Sequence, residues 1–544
     1  MNRYDIRPTL MAAMASLLIG MTAHAQIPNE IVGRPGDSSV TVSVMFATET
    51  DLYLSFGTQS GNHPLKTSVT TASPNVPVEI RRDSLLPGKR YFFRTWYRAK
   101  NSGLPFTAGM ERSFMTQRKS GEAFSFVVEA DPHLDSNTIP ASYRATLQHM
   151  LTKRPDFLVD LGDNFMTDKM PVITEQTIRE KNLLYRDYWS ELCNNSALFV
   201  ALGNHEGELG WLPDTGPTSL PSMAANLRKT YVPNPFPEGI YTGNTVASPN
   251  VGLRENYYAW EWGDALFVVI DPYIYTKAKP GWGWTLGKDQ YEWLKTTLRN
   301  SRKPFKFIFS HQVVGGSGTE GRGGVEVAHL YEMGGRNADS SWGFSANRPG
   351  WEKPIHQLMV ETGVSVFFHG HDHFYGRQML DNVIYQEVPQ PSARNLTTVT
   401  GLAYGYTEGT LLPSRGYILV TVGPDSIKAD YVRTYLPNEE NATRKNGDIA
   451  HSYTIKKSPV TGLPMLTESS LVRIYPNPTT SLLMLEVPGI RPTRMEYLLV
   501  DGQGRLLKKG MGDKVDTHDL PPGTYTLQVR TERFWVNRKV VVGR

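Results

Sequence analysis

A single cysteine, Cys193, in 544 residues leaves no partner for an intramolecular disulfide. Stability must therefore come from the cores and from any metal the chain binds. Long apolar runs are also scarce. The one candidate, Leu10–Met21, falls short of the ~20 residues that cross a bilayer. Arg3 and Arg7 precede it and Ala23-His24-Ala25 follows, so residues 1–25 read as a signal peptide. No later segment reads as a membrane helix. Excess charge of one sign is missing too: 57 Lys and Arg stand against 53 Asp and Glu, a formal net charge of +4. With no dense basic block, a dedicated nucleic-acid binder is not expected. Apolar (40%) and charged (20%) fractions are those of globular protein, and the length calls for several domains.

Five short polar clusters each follow an apolar, strand-like run. They are Asp131-Pro132-His133, Gly162-Asp163-Asn164, Gly203-Asn204-His205-Glu206, Ser310-His311 and Gly370-His371-Asp372-His373, after Phe124–Ala130, Phe157–Leu161, Leu198–Leu202, Phe305–Phe309 and Val364–Phe368. Helical patterns at Ala141–Lys153, Gln176–Leu192, Lys288–Asn300 and Trp351–Glu361 alternate with the strands, which predicts an α/β domain. In such a sheet, ligands bind beyond the carboxyl ends of the strands. Carboxylate, imidazole and amide groups gathered there make a mixed O/N site suited to Zn, Mn or Fe. Cys193 falls in a helical pattern without a neighbouring His and reads as a buried structural thiol.

The order and spacing of the five motifs resemble the calcineurin-like metallophosphoesterases, whose pattern is D-x-H, GD, GNH(D/E), H and GHxH; the resemblance covers residues 120–435. It implies two face-to-face sheets with helices outside, and two divalent or trivalent metal ions (Fe, Mn or Zn). By the same resemblance Asp131, His133 and His373 hold the first metal, Asn204, His311 and His371 the second, and Asp163 bridges them. A hydroxide held between the ions would attack small-molecule phosphate esters in line, with no phosphoenzyme. His205 would face the substrate as a proton donor or hydrogen-bond donor, with Glu206 orienting it.

Residues 28–118 hold alternating β-formers at Val40–Phe46, Leu52–Phe56, Val76–Ile80 and Tyr91–Tyr97, with Leu86-Pro87-Gly88 before the last. This span resembles the fibronectin III-like β-sandwich that precedes the catalytic domain of purple acid phosphatases. Two departures from those enzymes stand out. Met166 replaces the tyrosine expected three residues after Asp163, and His133 replaces an acidic residue, so no tyrosinate–iron(III) chromophore is expected. Residues 436–469 read as a polar linker. Residues 470–544, with Tyr475-Pro476-Asn477-Pro478, Asp501-Gly502-Gln503-Gly504-Arg505 and Pro521-Pro522-Gly523-Thr524-Tyr525, resemble the type IX secretion C-terminal sorting domain, a second small β-sandwich. Type IX secretion machinery is thus an expected partner, and the expected location is outside the outer membrane, released or attached to the cell surface.

The leading functional expectation is a phosphomonoesterase. The same site would suit a phosphodiesterase or nucleotidase, and the Pro-, Gly- and aromatic-rich insertions at Glu206–Asn256 and Gly315–Gly350 decide between them. A surface protein that binds without catalysis is the reading from another class.

Overall fold

The structure, a computed structural model, describes residues 27–457, 472–487, 492–501, 505–530 and 535–543. The expected signal peptide, most of the Asp501–Arg505 turn and the second part of the expected linker lie outside the described residues. The chain divides into two compact units with the break after Lys457. No helix among the described residues is long and apolar enough to cross a membrane.

Two sheets face each other in the first unit. One has nine strands, in the order Ile449–Lys456, Ser426–Arg433, Gly416–Val422, Phe124–Glu129, Phe157–Asp160, Ala197–Val200, Asn29–Gly33, Val40–Met45 and Val78–Arg82. The other has eight, with Ala265–Val269, Phe305–Phe309 and Val366–His369 at its centre. Strict alternation along the central strands explains the layering. Phe126, Phe157, Phe199, Phe307, Phe309 and Phe368 point into the space between the sheets. The ring of Phe126 lies 5.2 Å from Phe157 and from Phe267 and 5.3 Å from Phe307, and such aromatic pairs contribute about 0.5–1.5 kcal/mol each beyond burial. The alternate residues Val127, Leu158, Leu198 and Val200 face outward, where helices Pro140–Thr152 and Glu175–Cys193 cover them. Ile308 and Phe367 meet helices Lys288–Asn300 and Ile355–Thr362 on the opposite outer face. The last helix starts four residues later than the Trp351–Glu361 pattern predicts, because Pro354 disfavours α conformation in the residue before it. Cys193 is buried, and burial pushes its thiol well above the ordinary range.

Within each sheet the central strands run parallel: Phe124–Glu129 beside Phe157–Asp160 and Ala197–Val200 in one, Ala265–Val269 beside Phe305–Phe309 and Val366–His369 in the other. Their carboxyl ends therefore deliver loops to one end of the domain.

Two boundaries differ from expectation. The amino-terminal strands form two sheets, as a sandwich requires, but Asn29–Gly33 pairs in parallel with Ala197–Val200, so one of those sheets continues into the catalytic one. The 28–118 span is welded to its neighbour by backbone hydrogen bonds. Within the expected linker 436–469, Ile449–Lys456 is the edge strand of the nine-stranded sheet, paired with Ser426–Arg433. Only one face of an edge strand needs apolar residues, and the polar composition hid it.

In the second unit, Arg473–Tyr475, Leu482–Glu486 and Lys514–Asp516 form one sheet. Leu506–Met511, Glu496–Val500, Gly523–Arg530 and Trp535–Val542 form the other. Leu483, Leu485, Leu499, Leu527 and Val540 share their core, as a small β-sandwich requires.

Candidate metal centre

The loops that leave the parallel strands are backbone-strained at the residues that carry the chemistry. Asp131, His133, Asp163, His371 and His373 all take positive φ, from 51° to 78°. For side chains other than glycine this left-handed region is sparsely populated, and it persists where surroundings over-determine it. The glycines of the motifs solve a different problem. A Cβ on Gly203 would lie 2.2 Å from Asp163 Oδ1, and one on Gly370 would lie 2.6 Å from Asp131 Oδ2. Only glycine lets these backbones pass so close to the carboxylates.

Two groups of ligand atoms result, Asp131 with His133 and His373, and Asp163 with His311 and His371; within each, the atoms lie within 4.8 Å of one another. Asp163 Oδ2 is 3.2 Å from His311 Nε2 and 3.6 Å from His133 Nε2, so one oxygen faces both groups. Asp131 Oδ1 is 3.4 Å from His373 Nε2 and 3.7 Å from His311 Nε2. Backbone amides fix the other carboxylate oxygens: His371 N–H donates to Asp131 Oδ2 and His205 N–H to Asp163 Oδ1, each at 2.8 Å.

The donors suit a metal. His311 Nδ1 bonds the Leu161 carbonyl at 2.9 Å and His371 Nε2 bonds the Glu320 carbonyl at 3.0 Å. Each ring thereby presents its other nitrogen inward, 3.3 Å apart from its neighbour's, as metal-ligating histidines do. Asp131 Oδ1, His133 Nε2 and Asn204 Oδ1 are buried without a hydrogen-bond partner among the described residues. Unpaired buried polar atoms are costly, and a cation at their focus would satisfy them. The charges agree. Burial alone would raise the Asp131 carboxyl, yet His311 and His373 hold it well below the usual carboxylate range. Asp163 is likewise held down by His311 and His205 against its burial. Burial, reinforced by His311, keeps His371 well below the ordinary imidazole value and so neutral, the form that ligates.

His205 faces the same space, with Nε2 3.9 Å from Asp163 Oδ2. Its orienting partner is not the one expected. Asp168 accepts from His205 Nδ1 at 2.8 and 3.0 Å. Glu206 instead turns inward and accepts the backbone N–H groups of Asp163 at 3.1 Å, Asn164 at 2.5 Å and Gly203. It is 1% exposed and clamps the second motif loop to the third. Burial first, then Asp163, pushes its carboxyl up to about 7. Asp168 went unnoticed in the sequence because no spacing rule ties a residue five positions after Asp163 to His205. Gln390 was missed for the same reason; its side chain donates to the Asp131 carbonyl at 2.8 Å. Arg322 donates to Asp372 at 2.7 Å and to the His371 carbonyl at 2.9 Å. The insertion aromatics mostly pack: Tyr231 and Tyr241 are buried, and Trp211 meets Trp284 at 5.5 Å. Met166 is buried at the rim of a cavity of about 490 Å³ that borders His133 and His373.

Residues 124–375 match the family model of the calcineurin-like phosphoesterases, and residues 473–543 match the secretion system C-terminal sorting domain. The chain thus carries a calcineurin-like phosphoesterase domain over residues 124–375 and a secretion system sorting domain over residues 473–543. Among solved structures, that of PhoD is similar at a TM-score of 0.58 and 15% identity, over 80% of this chain and 91% of that one. The purple acid phosphatase PPD1 from yellow lupin (Lupinus luteus) seeds is similar at a TM-score of 0.54 and 16% identity, over 79% of this chain and 74% of that one. At such identities the likeness is one of fold. No curated protein sequence matches the chain.

Proposed function

We propose that the protein is an exported phosphomonoesterase with a two-metal centre, in which Asp131, His133 and His373 hold one ion, Asn204, His311 and His371 the other, and Asp163 both. The observation that carries this reading is the pair of adjacent ligand groups, with Asp163 Oδ2 facing a histidine of each and buried Asp131, His133 and Asn204 atoms left unpaired beside them. Two such cations, when bound, polarise the phosphoryl group and supply a nucleophile from water at neutral pH. The protein's own side chains do the rest. Asp168 takes the Nδ1–H of His205, which leaves Nε2 turned to the space beside Asp163. From there His205 hands a proton to the departing ester oxygen, a step that general acids accelerate by about 10²–10⁴. Glu206 holds the two loops in register and touches no substrate. The sorting domain directs export by type IX secretion machinery, and its removal would fall after Lys457, since an earlier cut would strip the edge strand Ile449–Lys456 from its sheet.

The test is hydrolysis of an aryl phosphomonoester by purified protein before and after chelation, with Mn, Zn or Fe restored, alongside metal counting. Activity that vanishes and returns, with two ions per chain, supports the reading. Bound metal with no turnover overturns it in favour of a surface-binding role.

A further inference from the structure

The cavity beside His133 and His373 holds two cations that the metal centre does not use. Lys169 and Lys181 line it together with Met166, Met170 and Pro171. Lys181 stands half-buried on helix Glu175–Cys193, and its ammonium makes no ion pair or hydrogen bond among the described residues. Lys169 is exposed, with Nζ 3.9 Å from Asp168 Oδ2. One carboxylate also borders the cavity, but Asp135 is engaged: it accepts from the Asn137 N–H at 2.8 Å and faces His133 Nδ1 at 3.6 Å. Asn137 and Gln390 complete a lining in which Met166, Met170 and Pro171 form the apolar side. Such a concave space, with the Lys181 ammonium unpaired among the described residues and Lys169 only 3.9 Å from one carboxylate, suits a carbon skeleton that ends in negative charge. Its volume of about 490 Å³ suits a small molecule.

We infer that this cavity receives the leaving group of the substrate, and that Lys169 and Lys181 bind a second anionic group on it. The substrate class is then a small phosphate ester with a further carboxylate or phosphate, rather than the ester of a neutral alcohol. This rests on the esterase reading above, because the phosphoryl end must lie at the ligand clusters for the remainder to extend past His133 and His373. Lysines act here as point charges, so the preference should weaken as salt rises.

The experiment compares phenyl phosphates that carry a para carboxylate, phosphonate or neutral carboxamide. An ammonium–anion contact of this kind corresponds to roughly tenfold in KM. The wild-type enzyme should favour one of the anionic esters over the carboxamide by about that factor. The double variant Lys169→Met/Lys181→Met should bring the ratio near one, and Lys169→Arg/Lys181→Arg should retain it. Whichever anionic ester is favoured names the second group. An unchanged ratio in the Met variant, or no preference in the wild type, overturns the inference. If none of the esters is hydrolysed, the esterase reading falls. Calorimetry of the matching non-hydrolysable arylphosphonates on Mn-loaded protein then decides the subsite separately: tighter binding of an anionic compound that the Met variant loses supports it, and equal binding overturns it.

Discussion

The Asp163–His311–His371 cluster is buried throughout, whereas in the Asp131–His133–His373 cluster the His373 side chain is 31% exposed and borders the cavity. The difference extends to the support of each ring. Backbone carbonyls of Leu161 and Glu320 hold His311 and His371 at hydrogen-bond distance, while the outward Nδ1 of His133 faces the Asp135 carboxylate at 3.6 Å. A buried, braced cluster keeps its geometry before anything binds, which is what electrostatic preorganisation requires. A cluster open on one side can exchange what it holds. The same loops thus supply one buried group of ligand atoms and one that is open on a side.

The largest effect should come from the residue whose carboxylate faces both halves. Asp163→Asn removes the shared charge, and loss of several kcal/mol of metal-based stabilisation should lower kcat by ~10³-fold or more, with metal counts falling at both positions. A variant that keeps one full equivalent would separate the clusters more sharply than proposed. Next comes Glu206→Ala, which leaves three buried backbone N–H groups without an acceptor. Each unsatisfied group costs about 1–3 kcal/mol, so thermal or denaturant unfolding should show a loss of ~3 kcal/mol or more. His373→Ala should cost roughly a hundredfold in activity, about 2.7 kcal/mol, with partial recovery as metal is raised. The same loss from His371→Ala, with equal recovery, would erase the distinction between the halves. The smallest effect is assigned to Asp168→Asn, at about 10-fold. Its signature is dependence on the leaving group: alkyl phosphates should lose more than 4-nitrophenyl phosphate, because a good leaving group needs less help from His205. Equal losses on both esters would reduce Asp168 to a structural role.

Much of this was visible in the residues alone. Alternating Phe and Val residues announce the central strands, and a polar cluster at the end of each strand announces a ligand loop, because period-two burial and loop chemistry are both local. What failed was whatever depends on the path of a loop. Glu206 follows His205 in sequence, but its side chain turns to the Asp163, Asn164 and Gly203 amides. Asp168 reaches His205 only because Asp163 and Met166 adopt left-handed conformations on the way. Strand partners separated by long stretches were equally hidden: nothing local marks Ala197–Val200 as the neighbour of Asn29–Gly33. Ile449–Lys456, exposed or half-exposed along its length, lacks the apolar signal that a central strand carries.

That pairing of Val32 with Ala197 constrains the order in which the polypeptide can assemble. As the chain emerges amino end first, Asn29–Gly33 stays an unpaired edge until the third motif strand has been made. Contacts of such high sequence separation slow folding and leave edges open to wrong partners. An amino-terminal fragment ending near residue 118 would therefore leave this edge of Asn29–Gly33 without its partner strand.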